Sequence, residues 1–270
     1  MSDAPRLRLR PRKRPRFKGP SFNRMIPNLL TMLGLCSGLT GMRFALESRF
    51  AAAAVAIAIS ACIDGLDGRI ARLLHATSRF GAEFDSLADF LCFGIAPSFI
   101  LYLWSLHNLH GYGFIPCLMF SVCMALRLAR FNAALDDHHP EPFMYNFFTG
   151  VPAPAGAALV LFPLLLGLEA RRQNLPWLEN FAHQPALCAV MLVGTASLLV
   201  STLPVWSFKN FKVPSEFVLP ALLGVALFAA FLVADPWAAL ASVDLIYLAI
   251  LPLSRRSFHH LKREAEAEAE

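Results

Sequence analysis

The chain has 270 residues, of which 56% are hydrophobic, and carries a formal net charge of +5. With a mean hydropathy of +0.52 it is too apolar for a soluble domain with a polar surface, and it reads as an integral membrane protein. Its six cysteines, Cys36, Cys62, Cys92, Cys117, Cys123 and Cys188, fall within or beside apolar stretches without metal-type spacing, and they read as packing residues.

Residues 1–24 hold nine Lys or Arg, are broken by prolines and contain no continuous apolar run. That pattern argues against a cleaved signal peptide and for a basic cytoplasmic arm beside anionic lipid headgroups, with no nucleic-acid partner. Apolar segments near the 17–25 residues needed to cross a bilayer follow at 26–46, 50–66, 86–106, 112–132, 148–168, 185–206, 214–234 and 237–254. The expected fold is therefore all-α, a polytopic transmembrane helical bundle of about eight helices. The count drops to six or seven if the short second segment, or the last pair divided only by Asp235-Pro236, does not cross. The transmembrane domain is expected over 25–254 and a charged cytoplasmic tail over 255–270, ending in AEAEAE.

An even number of crossings puts both termini on one side of the membrane, together with 20 of the 24 Lys and Arg residues. By the positive-inside rule that side is cytoplasmic, which suits a multi-pass protein of the cell (inner) membrane. Arg171 and Arg172 break the rule locally. The tandem pairs His138-His139 and His259-His260 are a weak metal signal and read as solvated loop.

On the first helix Asn28 and Thr31 follow Pro27, where a helix start offers free amides and polar side chains either to a diphosphate or simply to its own cap. Chemistry concentrates in CIDGLDGRIARLLHATSRFGAEFDSLADF, residues 62–90, which sets Asp64, Asp67, Asp85 and Asp89 at the ends of apolar runs. Intramembrane acids are costly and mark sites. If 55–75 is a helix, Asp64, Asp67, Gly68, Ala71 and Arg72 lie within one arc of about 140°. Asp85 and Asp89 are one turn apart on the next helix, one turn beyond Gly81, and a tight link through 74–80 would bring the two faces together.

Four converging carboxylates repel one another unless a cation sits among them, and an oxygen-only set suits a hard divalent ion such as Mg²⁺ or Mn²⁺. Gly68, Ala71 and Gly81 leave room for a flat or phosphorylated group, and Arg72 can neutralise a phosphate. The competing reading is a set of ion pairs with Arg69, Arg72 and Arg79 at the membrane surface, but that would not require small residues on the acid face. A cation transporter is a further alternative, disfavoured because all four acids lie near one membrane face, whereas a pathway needs polar groups at several depths. Farther along, Arg127 and Arg130 are spaced i, i+3 near a helix end. Their guanidinium forks suit a carboxylate, or else they reach out to headgroups.

The run Asp64-x-x-Asp67-Gly68-x-x-Ala71-Arg72, followed after eight residues by Gly81-x-x-x-Asp85-x-x-x-Asp89, resembles the CDP-alcohol phosphatidyltransferase signature at every fixed position. The stretches IPNLLT (26–31), FGIAPS (93–98), RLARFN (127–132) and FTGVPAPAGA (148–157) resemble the integral-membrane members of that family that use serine as the acceptor. The resemblance implies transfer of a phosphatidyl group from CDP-diacylglycerol to L-serine with release of CMP. Glycerol 3-phosphate, inositol or choline are the alternative acceptors. It further implies Asp64, Asp67 and Asp85 as metal ligands, Asp89 as general base and a fourth ligand, and Gly68, Ala71, Arg72 and Gly81, with Asn28 and Thr31, around the CDP moiety. Arg127 and Arg130 stand as the serine-binding candidates, and a homodimer is the implied assembly.

Overall fold

The computed structural model describes residues 22–76, 78–136, 147–201, 204–206 and 217–251. The basic arm before residue 22, both tandem histidine pairs and the charged tail lie outside the described residues. The helices are α1 (Phe22–Leu46), α2 (Phe50–Leu73), α3 (Arg79–Asp89), α4 (Ala96–Trp104), α5 (Phe114–Asp136), α6 (Ala153–Arg172), α7 (Pro176–Ala182), α8 (Pro185–Val200), α9 (Val218–Ala234) and α10 (Pro236–Leu251). A π-turn, Phe90–Ile95, joins α3 to α4 so that 79–104 runs as one span, and a 3-10 stretch, Leu106–Gly113, precedes α5.

Five of these spans are long and apolar enough to cross a bilayer, and a sixth forms if α7 and α8, bent by 48°, count as one. With the shorter apolar helices α9 and α10 the bundle is consistent with the expected six to eight helices. The boundaries moved in two informative places. The second span does not stop before the acids but continues to Leu73, because Asp64 and Asp67 are carried on an unbroken helix. The fifth starts at Ala153, because Phe147–Thr149 forms a short antiparallel ribbon with Pro204–Trp206, the two strands found among the described residues.

Lipid gives helices little hydrophobic reason to associate, so close packing and interhelical hydrogen bonds must hold them. The antiparallel pair α1 and α2 shows both. Ser37 Oγ donates to Ala56 O at 2.8 Å and Ser60 Oγ to Gly34 O at 3.0 Å. Gly38 lets the π-turn approach so closely that a Cβ there would lie 2.6 Å from Cys92 Sγ. The core lies among the π-turn, α4, α5, α6 and α8, where Phe93, Ile100, Leu101, Phe120, Met124, Leu159, Leu164, Leu192 and Leu199 are fully buried. None of the side chains of α9 is buried, an apolar all-round helix suited to hydrocarbon.

The arginines that break the positive-inside pattern are paired. Arg171 meets Glu179 at 2.8 Å, and Arg172 meets Asp235 at 2.6 Å while donating to Ala234 O at 2.7 Å, which latches the end of α6 to the junction of α9 and α10. At the opposite end Arg130 binds the final turn of α8, donating to Val200 O at 2.9 Å and to Leu199 O and Ser201 O at 3.4 Å each. A cation there satisfies carbonyls that the helix leaves free.

Gly150 makes this end possible. Its φ is +82°, and a Cβ would lie 3.0 Å from both Leu199 O and Ser201 O. Holding an L-residue in the left-handed region costs about 1–2 kcal/mol before any steric conflict is counted. Gly150→Ala is therefore expected to lower the midpoint of thermal unfolding in detergent micelles; an unchanged midpoint would mean that the turn relaxes without cost.

Candidate active site

The link from α2 to α3 brings the acid faces together. Helix α2 closes with His75 in the left-handed region at φ +50°, Ala76 N donating to Ala71 O at 2.9 Å and His75 N to Arg72 O at 3.2 Å. This is a Schellman-type stop with histidine in the place glycine usually takes. Ser78 then caps α3, its Oγ accepting from Gly81 N at 3.0 Å.

Asp64, Asp67 and Asp85 consequently each direct one carboxylate oxygen into a group whose members lie within 4.8 Å of one another. Asp67 is only 4% exposed and accepts a 2.7 Å hydrogen bond from Thr31 Oγ1. Asp89 stands beside Asp64, outside that trio, and all four acids line a cavity of about 10 Å³ floored by Ser60, Cys92 and Phe93. Such a space accepts one water- or ion-sized occupant. Three carboxylates with oxygen donors only, one of them oriented by a neutral hydroxyl, fit a hard divalent cation.

A second cavity, about 190 Å³, adjoins the first and shares Thr31, Asp67 and Asp85 with it. Asn28, Gly68, Ala71 and Gly81 line it, together with Ser78 and Ala82. Each small residue leaves space for a different reason. A Cβ on Gly81 would sit 2.9 Å from Asn28 Oδ1, whereas a Cβ on Gly68 would meet no protein atom within 4 Å. The space beside Gly68 is open. Arg72 is not among the residues around this cavity; exposed, it folds back so that Nε donates to Gly68 O at 3.0 Å.

The two candidate acceptor arginines differ. Arg130 is committed to the end of α8. Arg127 donates from Nε to Val151 O at 2.6 Å, and among the described residues its terminal nitrogens make no hydrogen bond. It lies near enough to Asp89 for each charge to act on the other. Asn132, from the same RLARFN stretch, exchanges hydrogen bonds with Ser86 at 3.0 and 3.2 Å and so fixes α3 beside Asp85.

Sequence reasoning passed over Ser60, which i, i+4 spacing from Asp64 would have found, and the π-turn immediately after Asp89, which has no sequence signal. A larger cavity of about 630 Å³ opens among Ser48, Arg49, Trp104, Arg171, Glu179 and His183. Its arginines already pair with Glu47 and Glu179 and the acid cluster is elsewhere, so the smaller paired cavities are the candidate site.

This constellation of acids on two adjacent membrane helices, with small residues beside them, has counterparts in known sequences. The family model for CDP-alcohol phosphatidyltransferase matches residues 24–195, and a second, CDP-alcohol phosphatidyltransferase 2, matches 216–252. The chain belongs to the CDP-alcohol phosphatidyltransferase family.

Among its relatives, a protein of Mycobacterium leprae (strain TN) is 39% identical over 254 residues, which is 94% of this chain and 82% of the relative. One from Helicobacter pylori (strain ATCC 700392 / 26695) is 36% identical over 188 residues, 70% of this chain and 74% of the relative. One from Bacillus subtilis (strain 168) is 31% identical over 188 residues, 69% and 91% respectively. All three are named CDP-diacylglycerol--serine O-phosphatidyltransferase.

Partners that orient a metal-binding carboxylate are worth 10–100-fold in metal affinity. Thr31→Val keeps the shape and deletes the hydrogen bond to Asp67, so the divalent-ion concentration for half-maximal activity should rise by about that factor. An unchanged ion dependence would remove Thr31 from the site.

Proposed function

We propose that the protein transfers the phosphatidyl group of CDP-diacylglycerol to the hydroxyl of L-serine, forming phosphatidylserine and CMP. The observation that carries this reading is the trio Asp64, Asp67 and Asp85 within 4.8 Å of one another beside the cavity lined by Gly68, Ala71 and Gly81. The names and coverage of the relatives support serine as the acceptor.

In this reading Asp64, Asp67 and Asp85 hold Mg²⁺ or Mn²⁺, with Asp89 adjoining as a further ligand or as the base. The divalent ion supplies neutralisation of charge on the transferred and leaving phosphate oxygens. Asn28, Thr31, Gly68, Ala71 and Gly81 receive the CDP moiety, and Arg72, bonded back to Gly68 O outside that cavity, would reach a phosphate only by leaving that bond. The serine oxygen bonds to the phosphorus that carries diacylglycerol, the bond from that phosphorus to the bridging oxygen breaks, and CMP leaves with the electron pair. Asp89 takes the hydroxyl proton. Aspartate is a weak base for an alcohol, so positioning and electrostatics carry more of the rate than proton removal. Arg127 holds the serine carboxylate; Arg130, tied to α8, supports it from behind.

The reading also places the acids, both termini, the basic arm (1–24) and the charged tail (255–270) on the cytoplasmic face of the cell membrane, around a transmembrane domain of 25–254, with the enzyme acting as a homodimer.

Purified protein in mixed micelles with CDP-diacylglycerol should release CMP with serine and not with glycerol 3-phosphate, inositol or choline. Chelation should abolish turnover and Mg²⁺ or Mn²⁺ restore it. Asp64→Asn, Asp67→Asn and Asp85→Asn should each lose metal-dependent nucleotide-lipid binding, whereas Asp89→Asn should keep binding and turn over poorly. Activity in excess chelator would end the metal assignment, and equal loss of binding in Asp89→Asn would end the division of roles.

Lysine preserves charge but not the planar fork, and a charge-assisted hydrogen bond is worth about 1.5–3 kcal/mol. Arg127→Lys should therefore weaken apparent serine affinity on the order of tenfold to a hundredfold, with CDP-diacylglycerol affinity little changed. Arg130→Lys should chiefly lower thermal stability. An unchanged serine dependence in Arg127→Lys would put the carboxylate elsewhere.

A further inference from the structure

The cavity of about 630 Å³ lies where α2 begins, at the end of the bundle away from the acids. Asp64 follows Phe50 by 14 positions on that helix, about 21 Å at 1.5 Å per residue, so an occupant here takes no part in the transfer. A second cavity, of about 410 Å³, adjoins it, and Ala51 and Ala52 line both. This second space is an apolar groove along α1 and α2, walled by Phe44, Val55, Ile59 and, from α10, Trp237. Its two hydroxyls are spent on the backbone, Ser37 Oγ donating to Ala56 O at 2.8 Å and Thr40 Oγ1 to Cys36 O at 2.7 Å. The groove therefore offers an occupant hydrocarbon.

The larger cavity is polar and carries both signs of charge. Arg49 stands where the two spaces meet, its guanidinium 4.6 Å from the centre of the Phe44 ring. Glu47 takes Arg43 at 3.0 Å and Arg49 only at 3.5 Å, which leaves most of the five N–H donors of Arg49 unused among the described residues. Arg171 holds Glu179 through contacts of 2.8 and 2.9 Å that both fall on Oε1, so Oε2 is left for another donor. Trp104 adds an aromatic wall suited to a cation, stacked on His183 at 4.7 Å and admitted by Gly167, where a Cβ would lie 2.7 Å from the indole.

A free donor fork, a free carboxylate oxygen beside an indole and an adjoining apolar groove match one kind of molecule. We propose that the two cavities form a single site for a zwitterionic phospholipid of the leaflet opposite the acids, with its phosphodiester at Arg49, its ammonium at Glu179 and an acyl chain along the groove to Trp237. Each carboxylate nearby is answered, because Glu47 keeps Arg43 and the ammonium meets the second oxygen of Glu179. The lipid is a bound component that ties the α1–α2 hairpin to α7 and α10, whichever alcohol the active site accepts.

The test is a titration of the purified full chain, in detergent with chelator, with dioleoyl phosphatidylethanolamine, read by native mass spectrometry. Saturation at one lipid per chain is expected. Dioleoyl phosphatidylglycerol, with the phosphodiester but no ammonium, should bind on the order of tenfold more weakly, and dioleoylglycerol more weakly still. Arg49→Gln should weaken phosphatidylethanolamine about tenfold, and Ala51→Phe, at an exposed position between the two cavities, should block it, each with the lipid-free thermal midpoint of the wild type. Asp85→Asn should keep the lipid. Wild-type affinity in both cavity variants, binding without saturation, or loss of the lipid in Asp85→Asn overturns the site. Equal affinity for the two phospholipids overturns the zwitterionic occupant, and displacement by millimolar inorganic phosphate makes this a free-anion site and overturns the proposal. The lipid series on the wild type decides the headgroup even if a variant folds poorly.

Discussion

Carboxylates on membrane helices are tolerable where something answers their charge, and the arrangement of this bundle follows from that constraint. Asp64 and Asp67 cannot face hydrocarbon, so the end of α2 must turn its acid face toward α3, and α3 must begin close enough for Asp85 to reach the same point. The Schellman-type stop at His75 and the cap at Ser78 supply that short return. α1 completes the enclosure through Thr31 and Asn28, which touch the acid centre and the small-residue cavity respectively.

Around this centre the remaining helices act as a frame tied at both ends. On the acid side Arg127 and Arg130 join α5 to the start of α6 and the end of α8, and Asn132 joins α5 to α3. At the far end Arg171 and Arg172 secure α6 to α7 and to the junction before α10. Arginines that look like violations of topology by charge counting are thus neutralised by acids on their own side, so their charge is answered within the protein.

Much of the site was legible because helical spacing places residues on a common face without knowledge of tertiary structure. Asp64, Asp67, Gly68 and Ala71 were assigned to one face by angle, and the same residues border the two adjoining cavities. The limits came where contact partners lie far apart in sequence. Arg72 carries the right charge at the right angle, yet its guanidinium bonds to its own helix. Arg127 and Arg130 look equivalent at i, i+3, and only the ends of α6 and α8 distinguish them.

The π-turn between Asp89 and Ala96 separates two demands that a regular helix would couple. In an α-helix every side chain's direction is set by its neighbours at 100° per residue, so choosing where Asp85 and Asp89 point would also choose where Phe93, Ile100 and Leu101 point. A turn with one residue more than usual resets the rotational phase. The segment before it can answer to the ligand and the segment after it to the packing of α4, α5 and α6. Substitution on either side of the turn can then adjust one requirement without rotating the other, which gives a single membrane-spanning helix the freedom of two.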